Sequence, residues 1–272
     1  MRHLPNLILY DIRFSFRQNR IKWLFAAVIQ LFLCIRTFDE VSFYAGSYDL
    51  LSELWPVMSG AREYLLAEDS SFQLPAYWFL FHAYLFFLVG FYPAAELHLG
   101  NGQALIRTCS RKNWIISKWI SIIINTVLYY GLYLVLLLAG NMFHGGVLIP
   151  GNGIIRLGGI PVFSRSRWDL LAAFVLLPLF MSVALGEMQV VISLFVGPVL
   201  AFMAILGYMI ASVFWMHPLL AGSYSMLYRQ DWVSGRPVIS VATGMLLCPA
   251  LIIFALAAGI LMFQRKDILP AV

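Results

Sequence analysis

Apolar residues in this chain neither alternate nor form narrow stripes; they come in long unbroken runs separated by short polar or glycine-rich stretches. Six runs read as membrane-spanning helices, at about 22–38, 75–97, 114–140, 169–189, 190–215 and 238–263. A helix satisfies its own backbone hydrogen bonds, so it is the default element for crossing lipid. The first run (KWLFAAVIQLFLCIRTF) is short, with Arg20, Lys22 and Arg36 reaching out from its ends. The fourth and fifth form a hairpin interrupted only by GEMQ (186–189), which predicts a second cytoplasmic turn with Glu187 in water. The pattern predicts an all-α polytopic membrane protein, a single domain over 1–272.

Ahead of the first run lies a different pattern, PNLILYDIRFSFRQNR. Arg13, Arg17 and Arg20 recur at i, i+4 and i+7, flanked by Leu7, Ile8, Ile12, Phe14 and Phe16. This spacing predicts an amphipathic helix over 1–21, lying in the membrane interface with its arginines near anionic headgroups.

Composition settles the class. Hydrophobic residues make up 61% of the 272 positions, charged residues 11%, and the mean hydropathy is +0.83. Soluble domains carry about 25% charged residues, so this chain has too little polar surface for water. The net charge of +5 does not point to nucleic acid, because the basic residues sit at the ends of apolar runs. One side gathers Arg2, Arg13, Arg17, Arg20, Lys22, Arg107, Arg111, Lys112, Lys118, Arg265 and Lys266. The positive-inside rule therefore places both termini and the 98–113 segment in the cytoplasm. The opposite side holds two long loops, an acidic 39–74 and a glycine-rich 141–168 that carries Arg156, Arg165 and Arg167 against the rule. With both termini inside, the expected location is a bacterial plasma membrane.

No catalytic constellation stands out. The chain has no HExxH, GxSxG or GxxxxGK[ST], and its five histidines are scattered. No cofactor or metal is expected in this chain, and without a phosphate-binding loop any ATP-driven work must come from another subunit. The spans are read as nearly free of ionisable groups, with Glu96 and Glu187 at cytoplasmic ends.

Between the second and third runs stands QALIRTCSRKNW (103–114), short, basic and helix-friendly. Preceded by Glu96, Gly100 and Gly102, and followed by Ser110-Arg111 and Lys118, it resembles the coupling-helix region of ABC-2-type transporter permeases. The layout is similar throughout: an amphipathic leader, six spans, a tight fourth–fifth hairpin, a polar stretch (HPLLAGSYSMLYRQDW) before the last span and FQRKDIL at its end. The resemblance implies that 98–113 is a cytoplasmic helix docking on an ABC ATPase, through Glu96, Leu105, Arg107, Ser110, Arg111 and Lys112. It further implies ATP and magnesium on that partner, a second permease forming a homo- or heterodimer, and export of a hydrophobic or amphipathic peptide, antibiotic or lipid. Two other classes remain open on the residues alone: an ion-coupled secondary transporter, and a non-transporting scaffold or sensor subunit.

Overall fold

The computed structural model describes residues 4–44, 49–62, 74–91, 93, 110–146, 155–157, 160–162, 167–235 and 238–265. Helix α1 (Leu4–Gln18) runs into α2 (Arg20–Tyr44), then come α3 (Leu50–Met58), α4 (Ala76–Gly90) and the long α5 (Arg111–Phe143). A two-stranded antiparallel hairpin follows, β1 (Ile155–Leu157) with β2 (Ile160–Val162), Arg156 opposite Pro161. After it, α6 (Arg167–Leu171) passes through a π-helical turn (Ala172–Leu176) into α7 (Leu177–Val196), and α8 (Pro198–Phe214) returns. Short helices α9 (Ala221–Tyr224) and α10 (Asp231–Ser234) precede the last long helix, α11 (Val241–Arg265).

Among the described residues, four helices are long and apolar enough to cross a membrane: Arg20–Ser42, Arg111–Phe143, Trp168–Val196 and Val241–Gln264. Ala76–Gly90 and Pro198–Phe214 are apolar but shorter. The long helices turn apolar side chains outward, Ile21, Leu24 and Phe25 on α2 and Leu246, Ile253 and Phe254 on α11. So continuous an apolar exterior suits lipid and not water.

Two ends of the bundle are fixed by contacts. At the proximal end, where α2 and α5 begin, Trp114 of α5 stacks on Phe263 of α11 at 4.9 Å, and the Lys22 ammonium of α2 lies over the Phe87 ring of α4. At the distal end, Asn141 of α5 donates to Glu53 of α3 at 2.6 Å, and Arg36 of α2 donates to the Tyr77 hydroxyl of α4. Arg229 closes the distal end from within. Its guanidinium donates to the carbonyls of Ser212, Val213 and Trp215, the unpaired end of α8, and to Ala61 beyond α3. A cation at the carbonyl end of a helix also complements its dipole.

Three sequence expectations need correction. The fourth–fifth turn is not at GEMQ: α7 runs through residues 186–189 and stops at Gly197. Gly197 has φ +87 and ψ 161, a conformation open essentially to glycine, and Pro198 then starts α8. A polar quartet is no helix breaker, whereas Gly-Pro is; the fourth run begins where expected, at Trp168, but the hairpin arms are 168–196 and 198–214, not 169–189 and 190–215. The π-turn before α7 has a similar local cause. Pro178 lacks the N–H that would bond one turn back, and the Leu177 N–H bonds instead to Ala172.

The other two corrections concern helix ends. The first and third runs extend beyond 22–38 and 114–140, to Arg20–Tyr44 and Arg111–Phe143. The 141–168 loop, expected to be irregular, holds the β-hairpin and the start of α6 among its described residues.

Candidate functional site: a polar seam at the start of α5

The first turns of α5 gather the polar contacts of the proximal end. Ser110 caps the helix, its hydroxyl accepting from the Asn113 N–H at 3.3 Å, so Arg111 and Lys112 are helical residues and not part of a separate rod. Arg111 turns onto a neighbouring helix: its guanidinium donates to the carbonyls of Phe263 (3.4 Å) and Gln264 (2.9 Å) near the end of α11. Lys112, one residue on, is exposed.

One turn further, α5 grips α1. Lys118 Nζ lies 2.6 Å from Asp11 Oδ1, and the Ser117 hydroxyl donates to Asp11 Oδ2. Both charged side chains are sealed off, at 1% and 0% exposure. Asn125 Nδ2 then reaches the Ser15 hydroxyl at 3.4 Å while also donating to the Ser121 carbonyl. The two helices meet along matched rows four residues apart: Leu7, Asp11, Ser15 and Asn19 on one side, Ser117, Ser121 and Asn125 on the other. Between apolar helices in lipid, association rests on such hydrogen bonds and on close packing, since burial of apolar surface gives no preference there.

The leader is helical as expected, over Leu4–Gln18. Arg13, Arg17 and Arg20 are exposed, but α1 is docked by its polar edge, leaving Leu9 and Tyr10 outward. Arg20 opens α2, its Nε donating to the Arg17 carbonyl. Helical hydrogen bonds carry through the junction, Asn19 to Ser15 and Trp23 to Asn19, so a pull on α1 is delivered to α2.

Deeper in the bundle runs a second polar chain. The His82 Nδ1–H donates to the Trp78 carbonyl at 2.8 Å, which in a neutral ring leaves Nε2 to accept from the Tyr130 hydroxyl. Tyr130 in turn shares a hydrogen bond with Ser182 at 2.9 Å, tying α4, α5 and α7 together.

Of the residues predicted as coupling positions, Glu96, Leu105 and Arg107 lie outside the described residues, and Ser110, Arg111 and Lys112 form the first turn of α5. Glu187 is corrected outright: it is fully buried within α7, not in a turn. Asp11, Ser117 and the role of Lys118 were missed. The signal for them is the i, i+4 spacing of polar residues, Asp11 with Ser15 on one helix and Ser117, Ser121 and Asn125 on the other. Among the described residues no group of three or more His, Cys, Asp or Glu side chains could hold a metal ion.

The family described as "Protein of unknown function (DUF2705)" is matched by residues 23–269. No curated protein and no solved structure matches the chain.

Proposed function

The chain belongs to the DUF2705 family, and from the geometry its residues adopt we propose that it is the membrane-spanning subunit of an ATP-driven transporter, similar to ABC-2-type permeases. In this reading all six apolar helices span the bilayer. The proximal end faces the cytoplasm of a bacterial plasma membrane, and both termini lie there. A separate ABC ATPase, carrying ATP and magnesium, grips residues 98–113. A second permease, identical or related, completes the pathway for an amphipathic or hydrophobic cargo moving outward.

One observation carries the reading. The helix that emerges from the cytoplasmic segment binds two other helices within its first two turns: α11 through Arg111 and Trp114, and α1 through Ser117 and Lys118. A rigid-body displacement of the segment is passed at once to α11 and, through α1, to α2. Interfaces of this kind, packed and bonded, move as units instead of deforming. A second observation favours the ion-coupled alternative, the isolated carboxyl of Glu187, which is taken up below.

The test exploits the exposed position of Lys112. A cysteine placed there and fitted with a short bifunctional cross-linker should trap a nucleotide-hydrolysing protein in native membranes, whereas one at Met142, exposed at the distal end, should not. Trapping from both positions, or from neither, removes the support.

A further inference from the structure

Glu187 lies in α7 ten residues before the Gly197 turn, roughly 15 Å along the helix. That is half of a hydrocarbon layer about 30 Å thick. Its side chain is fully buried, and neither carboxyl oxygen has a hydrogen-bond partner.

The face it occupies is dry and tightly closed. One turn toward the proximal end, Val191 meets Gly259 of α11, where an added Cβ would stand 3.2 Å from Val191 and 3.7 Å from Ile115 of α5. A further turn on, Leu194 packs with Trp114, Ile115, Ala255 and Phe263. Among the described residues, no side chain of the elements packed on α7 bonds to the carboxyl. Lys118 of α5 is committed to Asp11, Arg111 to carbonyls of α11, and Lys112 is exposed; α11 carries Cys248, with Arg265 as its last residue, α8 Tyr208, α9 Tyr224, α4 His82, Tyr77 and Tyr84, and α5 otherwise Tyr129, Tyr130 and Tyr133. None of these bonds to Glu187.

An ionised, unpaired carboxylate in such a place costs several kcal/mol, whereas the neutral acid leaves only hydrogen bonds unmet. Intramembrane carboxyls of this kind mark proton or ion steps more often than packing.

We propose that Glu187 is a proton-binding site: the carboxyl carries a proton while α5, α7 and α11 are closed around it, and gives that proton to water when the contact at Val191–Gly259 opens. The balance is that of a simple acid, carboxylate plus proton giving carboxylic acid on closure and the reverse on opening. Closing the bundle thus takes up one proton whether the work comes from a nucleotide or from an ion gradient, so the inference stands apart from the function proposed above.

The measurement is infrared spectroscopy of the full-length protein in liposomes, with carbon-13-labelled glutamate and in a Glu53→Gln background that removes the other buried, poorly paired glutamate. A protonated-carboxyl band at neutral pH, shifted by the label, slow to exchange in heavy water and lost in Glu187→Gln, is the expected result. Hydrogen-exchange protection around residues 187–191, corrected for the intrinsic rise of amide exchange with pH, should fall as the band fades in the parent and stay constant in Glu187→Gln. Should Glu187→Gln fail to insert, the labelled band of the parent decides alone. Its absence at neutral pH, or its survival in the glutamine variant, overturns the proposal.

Discussion

The Asp11 carboxylate and the Lys118 ammonium meet at 2.6 Å with both side chains closed off from solvent, binding the leader helix to the first turns of the long α5. Two charges in so dry a place hold only as a pair. Removing one strands the other, at a cost of about 3–5 kcal/mol, whereas replacing both with apolar groups is often neutral. Asp11→Asn and Lys118→Met should each lower the melting temperature of the protein in detergent by several degrees. The double variant Asp11→Leu with Lys118→Met should recover most of the loss. A double variant no more stable than the singles would mean that the seam is held by Ser117 and Asn125, without the ion pair.

The position of the α7–α8 turn gives a sharper contrast. Gly197→Ala forces a side chain into φ +87 and should cost about 1–3 kcal/mol. Gly186→Ala, inside the polar quartet, adds a methyl at ordinary contact distance, 3.5 Å from Ile122 and from Val89. In a helix interior alanine is favoured over glycine by roughly 0.5–1 kcal/mol, so this variant should be neutral or stabilising. Paired thermal melts distinguish the two sites, and equal losses would contradict a continuous α7.

Glu53 supplies a pH dependence at the distal end. Burial, with Asp49 adding to it, pushes its carboxyl up from 4.5 to about 7, against the bond from Asn141. A carboxyl raised in the folded state binds its proton more tightly there than when exposed. Its contribution is therefore full below 4.5 and is lost as pH rises toward and through about 7. Melting of the parent should fall across that window, and Glu53→Gln should flatten the curve. A parent curve without slope there would place the carboxyl in water.

Much of the architecture was legible because lipid writes large in sequence. Runs of apolar residues mark each of the four long apolar helices among the described residues. The errors share one cause: sequence reading took polarity to mean exposure. The polarity of GEMQ suggests a turn, and nothing local distinguishes Asp11 from a solvated acid, yet both Glu187 and Asp11 are buried. Arg111 belongs by sequence to the basic segment, yet its guanidinium donates to the Phe263 and Gln264 carbonyls of α11. Which polar residues face inward depends on which helices become neighbours, and that is set by three-dimensional packing that no local window contains.

In the proposed function, work enters this bundle from a nucleotide-hydrolysing partner at residues 98–113. Its most direct test is ATPase activity co-purifying with the chain from native membranes, compared between the parent and a variant carrying Arg107→Glu and Lys112→Glu, with Arg111 left intact to hold α11. ATPase activity accompanying the parent, and falling at least tenfold in a variant that still inserts and melts normally, is the predicted result. A parent that brings no ATPase with it, or a variant that keeps its full complement, would contradict the account.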